Sequence, residues 1–111
     1  MNLTGRIGLG QKQGKPVNGT RAGLLHMRRV KQLPCVCCGR HPPSDAHHCR
    51  SKGQLRDDFK NIPLCKNHHQ GAEGYHTQKS TWEAEFGPDT DYLDAVADQL
   101  AGEFNSPWGK L

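Results

Sequence analysis

At 111 residues, a third of them apolar and with a mean hydropathy of −0.83, the chain is one small domain with too little apolar material for a large core, so a staple such as zinc or disulfides is expected. No apolar run approaches the roughly 18 residues a membrane helix needs; the five cysteines follow no signal peptide and interleave with seven histidines, which favours an intracellular metal protein over a secreted disulfide scaffold. The net charge of +4 is uneven: residues 1–34 carry seven Lys or Arg and no acid, and residues 61–111 carry three Lys against eight Asp or Glu. A basic front half suits a polyanion such as nucleic acid, the plainer alternative being a solvated tail.

Residues 1–20, with glycines among Lys, Gln and Asn and no periodicity, read as a flexible basic arm. From Thr20 to Lys31 the spacing of Leu24, Leu25, Met27 and Val30 predicts a short helix with Arg28, Arg29 and Lys31 on its rim. Leu33-Pro34 leads into a cysteine knuckle, Pro42 and Pro43 mark a turn, and Asp45 to Cys49 has the length of a strand. Ser51 to Arg56 is a polar loop, Asn61 to Leu64 a short apolar approach to Cys65, and Cys65 to Gly71 the start of a helix broken by glycines. Thr77 to Phe86 predicts a helix stopped by Gly87-Pro88. Asp91 is placed to cap a final helix carrying Tyr92, Leu93, Val96 and Leu100 at helical spacing, a stripe that belongs to the core. The organisation expected is an arm over 1–20, a domain over 21–104 and a tail over 105–111.

Chemistry concentrates in the middle. Cys35-Val-Cys-Cys38 and Cys65-Lys-Asn-His68 form two pairs with two residues between ligands, the spacing at which one tight turn presents both donors to a tetrahedral zinc. Cys35, Cys38, Cys65 and His68 are therefore the expected structural set, with Cys37 and Cys49 as bystanders. The 26 residues between Cys38 and Cys65 exceed the roughly 12 of a two-Cys, two-His finger. His47, His48, His69 and His76 remain, more imidazole than a staple requires; His26 and His41 are expected on the surface. Neighbours on a strand point to opposite faces, so His47 and His48 can serve different jobs, as can His68 and His69. A catalytic metal needs open positions, and a free imidazole that titrates near neutrality can take a proton from water beside it. Arg50, Lys52, Arg56 and Lys60 lie between the two halves of the site and could hold phosphates, simple solvation being the alternative.

His48, Asn61 and His69 resemble the His-Asn-His pattern of the HNH, or ββα-metal, nucleases in their zinc-pinned variant. Leu33-Pro-Cys-Val-Cys-Cys-Gly39, Ala46-His-His48, Asp58-Phe59, Ile62-Pro-Leu-Cys65, His68-His-Gln-Gly71, Gly74-Tyr-His76 and Thr81-Trp-Glu83 together resemble, in consistent order, the phage recombination-enhancement (Ref) nucleases. The resemblance implies an α+β fold: a small zinc-stapled ββα-metal core with flanking helices behind the basic arm. It implies a metal-dependent DNA endonuclease of phage or prophage recombination, acting in the host cytoplasm. His47, His69 and His76 would ligate the catalytic metal and His48 would be the general base. The middle position of the motif falls to Asn61, although it lies one residue off the usual place, with Asp58, where Ref-like sequences carry an acid, as the alternative. Either could accept the base's other N–H and fix the loop between the strands. Cofactors implied are structural Zn²⁺ and catalytic Mg²⁺, Mn²⁺ or Zn²⁺. DNA is the implied partner, met by Arg28, Arg29, Lys31, Arg50, Lys52 and Arg56; a RecA-type recombinase filament is a further candidate partner, although the arm here is short. The competing reading is a noncatalytic zinc-bound module that binds DNA or docks on a recombinase.

Overall fold

A computed structural model describes residues 15–105, without the side chains of Lys52 and residues 103–105. Most of the expected arm (1–14), the residues after Asn105 and the Lys52 side chain lie outside the described residues. Helix α1 spans Arg21–Val30. Thr20 caps it in extended conformation, its hydroxyl accepting from Gly23 N at 3.1 Å, while Arg28 and Arg29 meet the negative end of the helix dipole. Val30 is fully buried, and Leu24 and Leu25 face outward.

Strands β1 (Asp45–His48) and β2 (Asn61–Leu64) form a two-stranded antiparallel sheet, pairing Asp45 with Leu64, Ala46 with Pro63, His47 with Ile62 and His48 with Asn61. Pro63 is tolerated because each strand of a pair is an edge strand and needs no second partner for its missing N–H. A single 3-10 turn at Ser51–Gly53 interrupts the connection between the strands. Cys65 leads from β2 straight into α2 (Lys66–His69), so strand, strand and short helix follow one another closely.

Helix α3 (Lys79–Phe86) ends at Gly87. The last helix, α4 (Leu93–Asn105), begins two residues after the expected Asp91 cap, because Asp89–Tyr92 forms a 3-10 turn whose Asp89 is fully buried and pinned to the loop after β1. Val30, Leu33, Ile62, Leu64, Tyr75, Trp82, Val96 and Leu100 make the core. Trp82 sits at its centre, edge-on to Tyr75 with ring centroids 5.2 Å apart. Arg29, expected to meet DNA, is half-buried, and its Nη2 donates to Leu100 O at 3.1 Å, tying α1 to α4. Among the described residues no helix is long and apolar enough to cross a membrane.

Candidate metal centres and the histidine pocket

The two cysteine pairs meet. Donor atoms of Cys35, Cys38, Cys65 and His68 all lie within 4.8 Å of one another. Cys38 Sγ and Cys65 Sγ are 3.9 Å apart, and Cys65 Sγ and His68 Nδ1 3.2 Å; thiolates on a tetrahedral zinc, with Zn–S near 2.3 Å, would be about 3.8 Å apart. The first knuckle closes through Cys35 N donating to Arg40 O and Gly39 N to Cys35 O, and Val36 N donates to Pro63 O, which docks it on β2. Hydrogen bonding from Cys37, whose backbone N lies 3.4 Å from Cys35 Sγ, pulls the Cys35 thiol down to about 4, and the same pairing pushes Cys37 up. Burial, then the neighbouring sulfurs, pushes Cys65 up. Sulfurs packed this closely repel as thiolates unless a cation sits among them, so this cluster can hold a metal ion such as zinc. Cys49 stands apart: burial raises its thiol to about 12, and Sγ approaches Asp89 O at 3.7 Å.

A second cluster forms where β1 meets α2. Donor atoms of His47, His69 and His76 lie within 4.8 Å of one another, with ring centroids 4.8–5.3 Å apart. His47 comes from the middle of β1, and His69 from the last residue of α2, the neighbour of the knuckle ligand His68. His76 returns to the same place because the chain folds back on α2: Tyr75 N donates to His68 O and His76 N to His69 O. That return needs Gly74, where a Cβ would sit 2.7 Å from His69 O.

Carboxylates hold two of the three imidazoles by one nitrogen each. His47 Nε2 lies 2.8 Å from Asp89 Oδ2, both side chains wholly buried. Burial alone would raise the Asp89 carboxyl, but hydrogen bonds from His47, Ser51 and Arg50 outweigh it and hold the group well below the usual range. Asp89 is therefore an ionised acceptor and His47 donates from Nε2, so that in the neutral ring Nδ1 would carry the lone pair. That Nδ1 is buried without a hydrogen-bond partner, as are Asn61 Oδ1 and Trp82 Nε1, but of these only His47 Nδ1 belongs to a group of metal-type donors. A buried, unpartnered ring nitrogen on a residue grouped with two more imidazoles fits a metal ion.

His69 repeats the arrangement: its Nδ1 lies 2.9 Å from Asp45 Oδ2, while Lys66 Nζ takes Asp45 Oδ1 at 3.0 Å. Burial of Asp45 is overcome by these partners, which keep it ionised and leave His69 Nε2 as the lone-pair nitrogen. Burial lowers His69 and His76 below the ordinary imidazole value, which favours the neutral, metal-binding form.

His48 points elsewhere, as the strand alternation requires. Its Nε2 lies 2.9 Å from Asp58 Oδ1, and Asp58 is held below the usual range by Gly19 N–H and by His48. Nδ1 is left as the lone-pair nitrogen. With His69 and His76, His48 lines a surface pocket completed by Ala46, Arg50 and Arg56. Asp58 thus takes the accepting role open between it and Asn61; buried Asn61 fixes the loop instead, donating from Nδ2 to Asp58 O at 2.7 Å. Arg50 and Arg56 are the expected cations that reach this pocket. Arg28 lines a separate groove with Arg21, Leu24 and Leu25, and Lys31 is exposed at the end of α1. His41 is exposed as expected, whereas His26 is half-buried against Phe59 at 5.3 Å between rings.

Sequence reasoning missed Asp89 and Asp45. Neither has a local signal, since their partners lie 42 and 24 residues away.

A family model described as "Protein of unknown function (DUF968)" matches residues 15–101. The chain is 32% identical over 79 residues to "Uncharacterized protein YdfU" of Escherichia coli (strain K12); the match covers 67% of this chain and 22% of that protein, so the chain spans about a fifth of its relative's length. No solved structure matches.

Proposed function

The chain belongs to the DUF968 family, and we propose that it is a metal-dependent endonuclease of the HNH type that hydrolyses DNA phosphodiester bonds. β1, β2 and α2 would be its ββα-metal core, pinned by zinc on Cys35, Cys38, Cys65 and His68. One observation carries this reading: carboxylates hold adjacent histidines by Nε2, His47 in a group of three metal-type imidazoles and His48 at the pocket that His69 and His76 also line. A purely structural zinc module has no use for a second imidazole cluster whose tautomers are set in this way.

His47, His69 and His76 would hold the catalytic ion, which would supply Lewis-acid stabilisation of the charge that develops on the phosphoryl group. Imidazole ligands suit Zn²⁺ at rest, with Mg²⁺ or Mn²⁺ as the ions of turnover. Arg50 and Arg56 would orient the strand by its phosphates. His48 Nδ1 takes a proton from a water that attacks phosphorus in line, and the imidazolium so formed is stabilised by Asp58 at Nε2. The products would carry 5′-phosphate and 3′-hydroxyl ends. The likeness to Ref nucleases makes a RecA-type filament a candidate partner and phage recombination the setting.

Plasmid nicking in Mg²⁺ or Mn²⁺ tests the proposal. His48→Ala should lower the rate by about 10² to 10⁴ with DNA affinity and fold retained, since a general base acts on the transition state. His69→Ala should instead weaken the metal, so that activity returns in part at high metal concentration. If the zinc-loaded protein nicks neither single- nor double-stranded DNA under any divalent ion, with or without a recombinase filament, the reading fails and a noncatalytic DNA-binding module replaces it.

A further inference from the structure

The carboxylate that holds His48 is itself held from the other end of the chain. Asp58 is 1% exposed, and its two oxygens have separate partners. Oδ2 accepts from Gly19 N at 2.7 Å, which leaves Oδ1 to face His48 Nε2 at 2.9 Å, with Arg56 Nε farther off at 3.8 Å. Asn18 grips the same loop through backbone: its Oδ1 accepts from Asp58 N at 2.9 Å, and its Nδ2 donates to Arg56 O at 3.1 Å. The segment before α1, read from sequence as part of a flexible arm, therefore straps the loop between the two strands across about 40 residues of chain.

The local conformation serves this contact. Gly19 has φ of +81°, where side chains are strained, and that turn aims its N–H at Asp58 before Thr20 opens the helix. Helix α1 then passes so close that a Cβ on Gly23 would stand 2.9 Å from Asp58 Cβ.

We propose that Asn18 and Gly19 are positioning residues of the reaction centre: by fixing both the backbone and Oδ2 of Asp58, they commit Oδ1 to His48 and so select the nitrogen that acts as base. The kinetic half of this inference rests on the nuclease reading above. The strap is also placed to meet substrate. Lys15, Pro16 and Asn18 line a groove with Leu55 and with Arg50 and Arg56, the two arginines of the His48 pocket. A phosphodiester strand leaving the pocket between those arginines runs against the strap, so the cations that hold it and the residues that set the base belong to one surface.

Asn18→Ala in the full, zinc-loaded chain tests this, with exposed Val17→Ala on the same strap as the control. Loss of an orienting partner typically costs about 10- to 100-fold, and that loss should appear in kcat for nicking, with any rise in KM much smaller than the fall in kcat and with zinc content and circular dichroism unchanged. ¹⁵N spectra of the imidazoles, taken where His48 is neutral, should show the Nε2–H tautomer in the parent chain and a mixture in Asn18→Ala. A rise in KM at constant kcat would mean that the strap only touches DNA, and would overturn the proposal. So would an unchanged tautomer. Should the parent chain cut no DNA, the nuclease reading falls alone and the ¹⁵N comparison decides whether the strap positions His48.

Discussion

Replacing Asp89 by Asn changes one atom in a place that solvent does not reach, and its cost follows from which donors lose an acceptor. Asp89 Oδ2 accepts from His47 Nε2 at 2.8 Å and Arg50 N at 3.1 Å, while Oδ1 accepts from Ser51 N at 3.2 Å. An amide offers a single acceptor oxygen. With that oxygen in the Oδ2 position, the new NH₂ faces Ser51 N–H and orphans it. In the reverse orientation the NH₂ faces Arg50 N–H as well as His47, and the imidazole must move its proton to Nδ1, the nitrogen meant for metal. The first orientation is cheaper and is the one expected. A buried donor left without a partner costs about 1–3 kcal/mol, equivalent in a domain of this size to a fall in Tm on the order of 5–15 °C. The amide oxygen is also a weaker acceptor for His47 Nε2–H than a carboxylate, and loss of such support typically costs about 10- to 100-fold in metal affinity. Urea unfolding would read the first effect. Co²⁺ titration of the zinc-loaded protein, followed by ligand-field absorption, would read the second. An unchanged urea midpoint together with unchanged Co²⁺ affinity would refute the assignment of Asp89 as the residue that sets His47.

Removal of the knuckle metal should unfold the domain: structural zinc contributes on the order of 10 kcal/mol of apparent binding energy, so chelation or Cys65→Ser should abolish native circular dichroism, and a metal-free chain with a full native spectrum would contradict this. Gly74→Ala should act on the other cluster, since its Cβ would stand 2.7 Å from His69 O and the turn that returns His76 must open. The expected result is loss of Co²⁺ binding at the histidines with the knuckle zinc retained, at a stability cost of about 1–3 kcal/mol for overpacking; retained Co²⁺ affinity would show that His76 is not a ligand.

The parts of this protein that could be read from sequence are those whose signal is local. Two residues between Cys35 and Cys38, and two between Cys65 and His68, are enough to make a knuckle, and the strand before the 51–56 loop follows from its own residues, whereas Asn61–Leu64 read only as an apolar approach to Cys65. Adjacency also sorted His47 from His48, because a strand must send neighbours to opposite faces. Legibility ended where a role depends on a partner far along the chain. Nothing near Asp89 announces that it lies under His47. Arg29 has the sequence context of a surface cation, yet its guanidinium reaches the carbonyl of Leu100. Asn61 lies near the middle place of the His-Asn-His pattern, but its amide reaches the Asp58 carbonyl while the Asp58 carboxylate reaches His48.

The same distinction explains how so small a core can hold a centre with defined protons. Apolar packing supplies the general shape, but the directions of His69, His48 and His47 each depend on a carboxylate brought from another segment: Asp45 from the start of β1, Asp58 from the loop, Asp89 from the turn before α4. Charge-assisted hydrogen bonds of this kind are stronger than neutral ones, and stronger still where water is excluded. They are useful only while their segments stay in register. His68 and His69 make that dependence direct, since one residue belongs to the knuckle and the next to the histidine cluster, on a helix of four residues. A helix that short has little stability of its own. A metal on the knuckle would therefore fix not only the fold but the angle at which His69 meets His47, and loosening the knuckle should degrade the second site before the rest of the domain gives way.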